Sequence, residues 1–222
     1  GRKSDAISRC CLYGHAETLK VLLESVHISH THANSTDDGF RTLTPLQFAA
    51  ISKDLKTVEL VLEQGVDVNE CHAGKKPALA IAASNHSYEM CSALLARGAS
   101  VGRTDRPTDG PEMNAFRYLL SKSKDEASAD TAALVHLFLT ERPNDNLQND
   151  ILYYLKVYRL YSAVIQKLLS AGAPLNDRTE NGLTALHITV YDALTESDKN
   201  DFEILRYNMR TLVLGGADLL AK

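Results

Sequence analysis

The chain has 222 residues, 44% of them hydrophobic, and a formal net charge of −4. That apolar share can fill a core, which excludes wholesale disorder. The acidic balance lacks the basic footprint that a phosphate backbone requires, so no direct nucleic-acid partner is expected. No apolar run reaches the roughly 18–20 residues of a membrane-spanning helix. Gly1–Asp5 is followed by no secretory apolar stretch, and the missing start methionine suggests a piece of a longer protein.

Six stretches of related pattern can be drawn, at about residues 4–36, 37–72, 73–108, 109–143, 144–179 and 180–222, here numbered units one to six. In unit one, Gly14-His15-Ala16-Glu17 reads as a turn between two helices, and Leu19, Val21, Leu22 and Leu23 supply the apolar side of the second. A polar insertion containing His27, His30 and His32 follows. Asp37–Arg41 then reads as a turn built on Gly39.

Unit two is the clearest. Thr44-Pro45-Leu46 opens a helix, with Thr as cap and Pro tolerated at a first helical position. Ala49-Ala50 keep one face small enough for another helix to approach. Leu55, Val58, Val61 and Leu62 recur at helical spacing, and Gly65 stands where a left-handed stop is wanted. Unit three repeats this 33 residues on: Pro77–Ala83 lies over Thr44–Ala50, and Gly98 over Gly65. Lys75-Lys76 form its turn, and Val101–Pro111 reads as a loop.

Units four and five are eroded. Asn114–Leu120 and Leu134–Leu139 stand for the two helices of unit four, with a long Ser121–Asp130 connection. Unit five ends clearly, from Val164 to Asn176. Its first helix, Asp150–Tyr161, places Tyr154, Tyr158 and Tyr161 on one face, which either packs against unit four or six or forms an aromatic binding surface. Unit six opens on Gly182-Leu183-Thr184-Ala185-Leu186-His187, and its second helix is expected from Phe202 to Leu214. Gly172 to Gly216 spans 44 residues, about 11 more than the period, which places an insertion at Tyr191–Asp201 between the helices.

A 33-residue unit with this opening motif resembles the ankyrin repeat family. The resemblance covers nearly all of the chain and is sharp in three units. It implies an all-α ankyrin-repeat solenoid of stacked helix–turn–helix units, about six in number, as a single domain over 1–222 with irregular insertions. Leu46, Leu79 and Leu186 hold equivalent positions, so each is expected to be buried. His187 takes the place at which the family bonds neighbouring repeat turns.

The resemblance implies a non-catalytic scaffold that binds a protein or peptide on a concave face made by turn tips and first helices. No phosphate loop, G-x-S-x-G or H-E-x-x-H motif is present. His27, His30, His32 and Cys71-His72 match no closed zinc spacing, so neither a metal nor a cofactor is expected. The candidate contact residues are Phe40 and Arg41 at one turn tip, Lys75 and Lys76 at the next, Ile51, Ser52, Ser84 and Asn85 at the ends of first helices, and Tyr154 and Tyr158 as an aromatic surface. Two lysines at one tip favour an acidic ligand segment. Two other readings stay open: a substrate-recruiting or autoinhibitory module of a larger enzyme, and a reader of modified histone tails or peptides. Cys10-Cys11 align with Ala49-Ala50 and read as buried thiols in a reducing compartment. An intracellular site, cytoplasmic or nuclear, is therefore expected, and a bacterial effector acting in a host cell fits equally.

Overall fold

The computed structural model describes residues 2–25, 43–71, 75–102, 114–122, 129–141, 154–155, 162–179, 181–196 and 198–219. The chain divides into two compact bodies, Gly1–Leu119 and Leu120–Lys222. The boundary falls inside one helix.

The N-terminal body begins with three helix pairs: α1 (Arg2–Tyr13) with α2 (Ala16–Ser25), α3 (Pro45–Ser52) with α4 (Leu55–Glu63), and α5 (Ala78–Ser84) with α6 (Tyr88–Ala96). The first helices stack as a row, α1 on α3 on α5, and the second helices as another, α2 on α4 on α6. Composition explains the closeness of the first row. Ala49, Ala50, Ala78, Ala80, Ala82 and Ala83 are all buried and present almost no side-chain bulk. Cys10 and Cys11 take the same positions in α1 and are buried with free thiols. Larger side chains fill the second row, including Leu19, Val58, Val61, Met90 and Leu94. A helix of eight or nine residues is marginal alone; here each one is held by burial against its partner and its neighbours.

Local chemistry sets the ends of the helices. Thr44 and Gln47 form a reciprocal cap on α3, with Gln47 Oε1 accepting from the Thr44 N–H at 2.6 Å and Thr44 Oγ1 from the Gln47 N–H at 3.2 Å. Asp54 caps α4 through the Thr57 N–H at 3.1 Å. Gly65 and Gly98 follow α4 and α6 at φ +73° and +89°, which ends each second helix with a left-handed residue. Neighbouring pairs are also stitched together by polar bonds. Gln47 Nε2 donates to the Lys76 carbonyl at 2.8 Å, and Arg97 Nη1 to the Leu62 carbonyl at 2.9 Å. The Asn69 amide brackets the next turn, donating to Gly98 O at 3.1 Å and accepting from the Ser100 N–H at 2.8 Å.

Helix α7 (Ala115–Lys122) crosses the boundary between the bodies. The C-terminal body contains α8 (Ala129–Glu141), α9 (Ser162–Ser170), α10 (Ala185–Thr195) and α11 (Lys199–Leu214). Helices α8, α9 and α11 stack in sequence as the second row, and α10 pairs with α11. Leu134, Phe138, Val164, Ile165, Leu168 and Leu212 are buried there.

The insertion expected at Tyr191–Asp201 is not a loop. Helix α10 has 11 residues where α3 has 8, and α11 has 16 where α4 has 9. With three linking residues in place of two, longer helices absorb the whole excess. The sequence from Tyr191 to Asp201 explains why: Ala193, Leu194 and Lys199 suit a helix, Asp201 falls in the first turn of α11 where a negative charge is favoured, and neither Gly nor Pro interrupts them.

Candidate functional site

The stacking of α1, α3 and α5 brings equivalent positions side by side. Ala49-Ala50 in α3 match Ala82-Ala83 in α5 and Cys10-Cys11 in α1. Ile51 and Ser52 therefore lie beside Ser84 and Asn85 on one side and Leu12 and Tyr13 on the other. Ile51 is exposed; Ser52, Ser84, Asn85 and Leu12 are half-buried; Tyr13 is largely exposed. The hydroxyls of Ser52 and Ser84 donate back to the Ala49 and Ile81 carbonyls, at 2.7 and 2.9 Å, so the strip is apolar at Tyr13 and Ile51 and only mildly polar beyond. Tyr13 had not been singled out in the sequence. Its spacing of 39 from Ser52, the same spacing that aligns the cysteines with the alanines, was the available signal.

Lys75 and Lys76 are half-buried at the turn before α5. Lys76 is not a simple solvated charge. Its ammonium lies 4.1 Å from the centre of the Tyr118 ring, and its carbonyl is held by Gln47. Tyr154 requires a correction: it is fully buried, so it belongs to the core of the C-terminal body rather than to an aromatic surface. Aromatic spacing on a helix marks a shared face without saying which way that face turns. Phe40, Arg41 and Tyr158 lie outside the described residues, as do His27, His30, His32 and His72. Among the described residues no group of three or more His, Cys, Asp or Glu side chains is placed to hold a metal.

Leu186 also departs from expectation. Leu46 and Leu79 are buried to within 2% exposure, whereas Leu186 is half-buried. His187 caps its own helix, with the Thr184 N–H donating to Nδ1 at 3.3 Å. The buried thiols of Cys11 and Cys91 are each pushed up to about 12 by burial, with neighbouring Cys10 adding to the effect at Cys11. These thiols are inert packing groups rather than nucleophiles.

Residues 6–105 match the family model for ankyrin repeats in three copies. The fold is that of ankyrin repeats. At least three repeats are well matched, all of them in the N-terminal body. Solved structures of similar fold include the ankyrin-repeat domain of human ASB11, with a TM-score of 0.62 at 19% identity over 96% of this chain and 83% of that one. The ankyrin-repeat domain of Bcl-3, a member of the IkappaB family, gives 0.68 at 19% identity, covering 97% and 88%. A complex of the predatory endopeptidase Bd0816 of Bdellovibrio bacteriovorus with the immunity protein Bd3460 contains a chain that gives 0.60 at 20% identity, covering 90% and 96%. No curated protein sequence matches the chain. Among the described residues, no helix is long and apolar enough to cross a membrane.

Proposed function

We propose that the chain is a non-catalytic scaffold of six ankyrin-like units that binds a protein or peptide on the strip formed by the ends of α1, α3 and α5. The observation that carries this reading is the placement of exposed Tyr13 and Ile51 with half-buried Ser52 and Ser84 at the same ends of the stacked helices α1, α3 and α5. An exposed Tyr beside an exposed Ile is an anchor of the kind that dominates interface energetics. Lys75 and Lys76 lie at the turn before α5, at the other end of that helix from Ser84, and Phe40 and Arg41 belong to the preceding turn by sequence, so a ligand that runs along the first helices to these turns is favoured to carry an acidic segment there. One of the structures of similar fold is an enzyme–immunity-protein complex, which supports a protein as ligand. Four free cysteines, three of them buried, support an intracellular setting, cytoplasmic or nuclear.

The test is affinity capture followed by measurement of Kd for the recovered partner. Tyr13→Ala and Ile51→Asp should each weaken binding by 10-fold or more, and neither should shift the melting temperature by more than about 2 °C. A partner whose affinity is unchanged in both variants would move the site off this strip.

A further inference from the structure

The helix ends of unit six match those of unit two on one side, so its extra length lies on the other. Helix α3 starts behind Thr44 and α10 behind Thr184; α4 ends ahead of Gly65 and α11 ahead of Gly216. The additional residues, three in α10 and seven in α11, therefore extend the end at which the two helices are joined. At 1.5 Å per residue this lengthens the hairpin by roughly 5–10 Å. The extension is tied together to its tip. Thr195 Oγ1 donates back to the Tyr191 and Asp192 carbonyls, both at 3.1 Å. The Asp198 N–H donates to Glu196 Oε1 at 2.9 Å, and the Phe202 N–H to Asp198 O at 3.0 Å.

An extension that only lengthened the helices would be polar wherever it meets water. This one is not. Tyr191 is 66% exposed, Leu194 81% and Phe202 44%. Leu194 and Phe202 stand in the added turns, at positions for which α3 and α4 have no counterpart. Their apolar surface is thus surplus to the packing plan of the unit. Tyr191 takes the place of Ile51.

Charge narrows what can cover these side chains. Residues 191–203 carry Asp192, Glu196, Asp198, Asp201 and Glu203 against Lys199 alone. Arg206, one turn further along α11, pairs with Glu203 at 2.7 Å, and the stretch stays acidic with that arginine included. Such a field repels a nucleic-acid backbone and an anionic lipid surface alike. It attracts a basic polypeptide, and exposed aromatic and aliphatic side chains within it are anchors for a segment with one apolar face.

We propose that the extended end of the α10–α11 hairpin is a docking surface for a basic amphipathic segment of another protein. Apolar side chains of that segment cover Tyr191, Leu194 and Phe202, and its lysines and arginines face the surrounding carboxylates. The surface is separate from the ligand strip of the N-terminal body and does not depend on it.

The experiment pans a phage library of random peptides on the immobilised protein and discards peptides that also bind the Leu194→Ser/Phe202→Ser variant. Both side chains are exposed, so this variant is compatible with folding; if its melting temperature falls, Leu194→Ser alone takes its place. The surviving peptides should be rich in Lys and Arg, with apolar residues at helical spacing. A synthetic survivor should bind the double variant at least 10-fold more weakly than the wild type. It should lose at least 10-fold against Glu196→Gln/Asp198→Asn/Glu203→Gln as well, whose amides keep the shape of the carboxylates and still accept hydrogen bonds. Its affinity for Tyr13→Ala/Ile51→Asp should be unchanged. Neutral or acidic survivors would overturn the proposal. So would basic ones that the amide variant binds as tightly as the wild type does, loss of binding in Tyr13→Ala/Ile51→Asp, or the recovery of no peptide at all.

Discussion

The helix pairs opened by Thr44 and by Thr184 follow one plan and differ in two respects. Both begin with a reciprocal cap to the third residue of the helix, Gln47 or His187, and both second helices end at a left-handed glycine, Gly65 or Gly216. They differ in helix length, 8 and 9 residues against 11 and 16, and in cover, since unit two is enclosed and the counterpart surface of unit six is open. What recurs is the polar hardware that fixes the backbone at each turn. Helix length between the turns is free to vary, because a longer helix needs only more neighbours of the same kind. Burial is not a property of the motif at all: it depends on what stands next to it.

The largest test of that difference truncates the equivalent leucines. Leu46→Ala or Leu79→Ala should cost about 2–5 kcal/mol, as fully buried Leu→Ala changes do. Leu186→Ala should cost less than half as much, because its outer side lacks packing partners among the described residues. Denaturant midpoints of the three variants decide the matter, and equal losses would contradict the contrast in burial.

Alkaline titration separates the two bodies next. Cys11 and Cys91 both lie in the N-terminal body, and burial raises each from 9.0 to about 12. The unfolded thiols ionise near 9 and the folded ones do not, so between those values the unfolded state binds fewer protons. The stability tied to the neutral thiols is thus complete below pH 9 and lost as the pH rises toward 12. Exchange of α1 and α6 amides, compared at matched intrinsic rates, should show opening of the N-terminal body as the pH climbs. The Cys11→Ala/Cys91→Ala variant should have a flatter profile, and an unchanged slope would show that other groups govern the loss.

A smaller effect is expected at the asparagine brackets. Asn69 spans two hydrogen bonds of 3.1 and 2.8 Å and is half-buried; Asn176 makes the equivalent pair at 3.5 and 2.8 Å and is exposed. Asn69→Ala should cost about 1–2 kcal/mol and Asn176→Ala about 0.5–1 kcal/mol. A reversed order would mean that the bracket matters for something other than its hydrogen bonds.

Much of this architecture was legible in the sequence, for a physical reason. The 33-residue recurrence, the Thr-Pro-Leu opening, the alanine pairs and the terminal glycines are requirements of backbone geometry and close helix approach, and only a few residue types meet them. The pairing of Cys10-Cys11 with Ala49-Ala50 followed from the same need for small side chains. Orientation was harder to see. Tyr154 shares a helical face with Tyr158 and Tyr161, but whether a face turns inward depends on neighbours distant in sequence, and it proved to be core. Leu186 failed for the same reason, since an equivalent position does not guarantee an equivalent environment. Tyr13 was missed although the Cys10-Cys11 pairing sets its register, because register gives a place along the helix and not the exposure of the side chain there. The excess residues of unit six were misplaced because a period counts residues without showing whether they lengthen a loop or a helix.

One recurring requirement left almost no trace in residue identity, and it supplies the finest test. Gly14, Lys53 and His86 occupy the same place in the turns between paired helices, and all three have positive φ, +67°, +64° and +53°. Only unit one meets that demand with glycine. At Gly14 an added Cβ would also come within 3.1 Å of Asp54 Cβ, the side chain that caps α4. Lys53 and His86 adopt the left-handed conformation as L-residues, which costs roughly 1–2 kcal/mol apiece. Gly14→Ala should therefore destabilise by about 1–2 kcal/mol, and more if Asp54 is displaced from its cap. Lys53→Gly and His86→Gly should do the opposite. Relief of the strained turn outweighs the extra chain entropy of an unfolded glycine, leaving a net gain of about 0.5–1 kcal/mol at each site. The three midpoints, measured together, fix the sign of the effect at one repeated position. If the two glycine substitutions destabilise, the lysine and histidine side chains hold these turns through contacts of their own, and the strain is compensated locally.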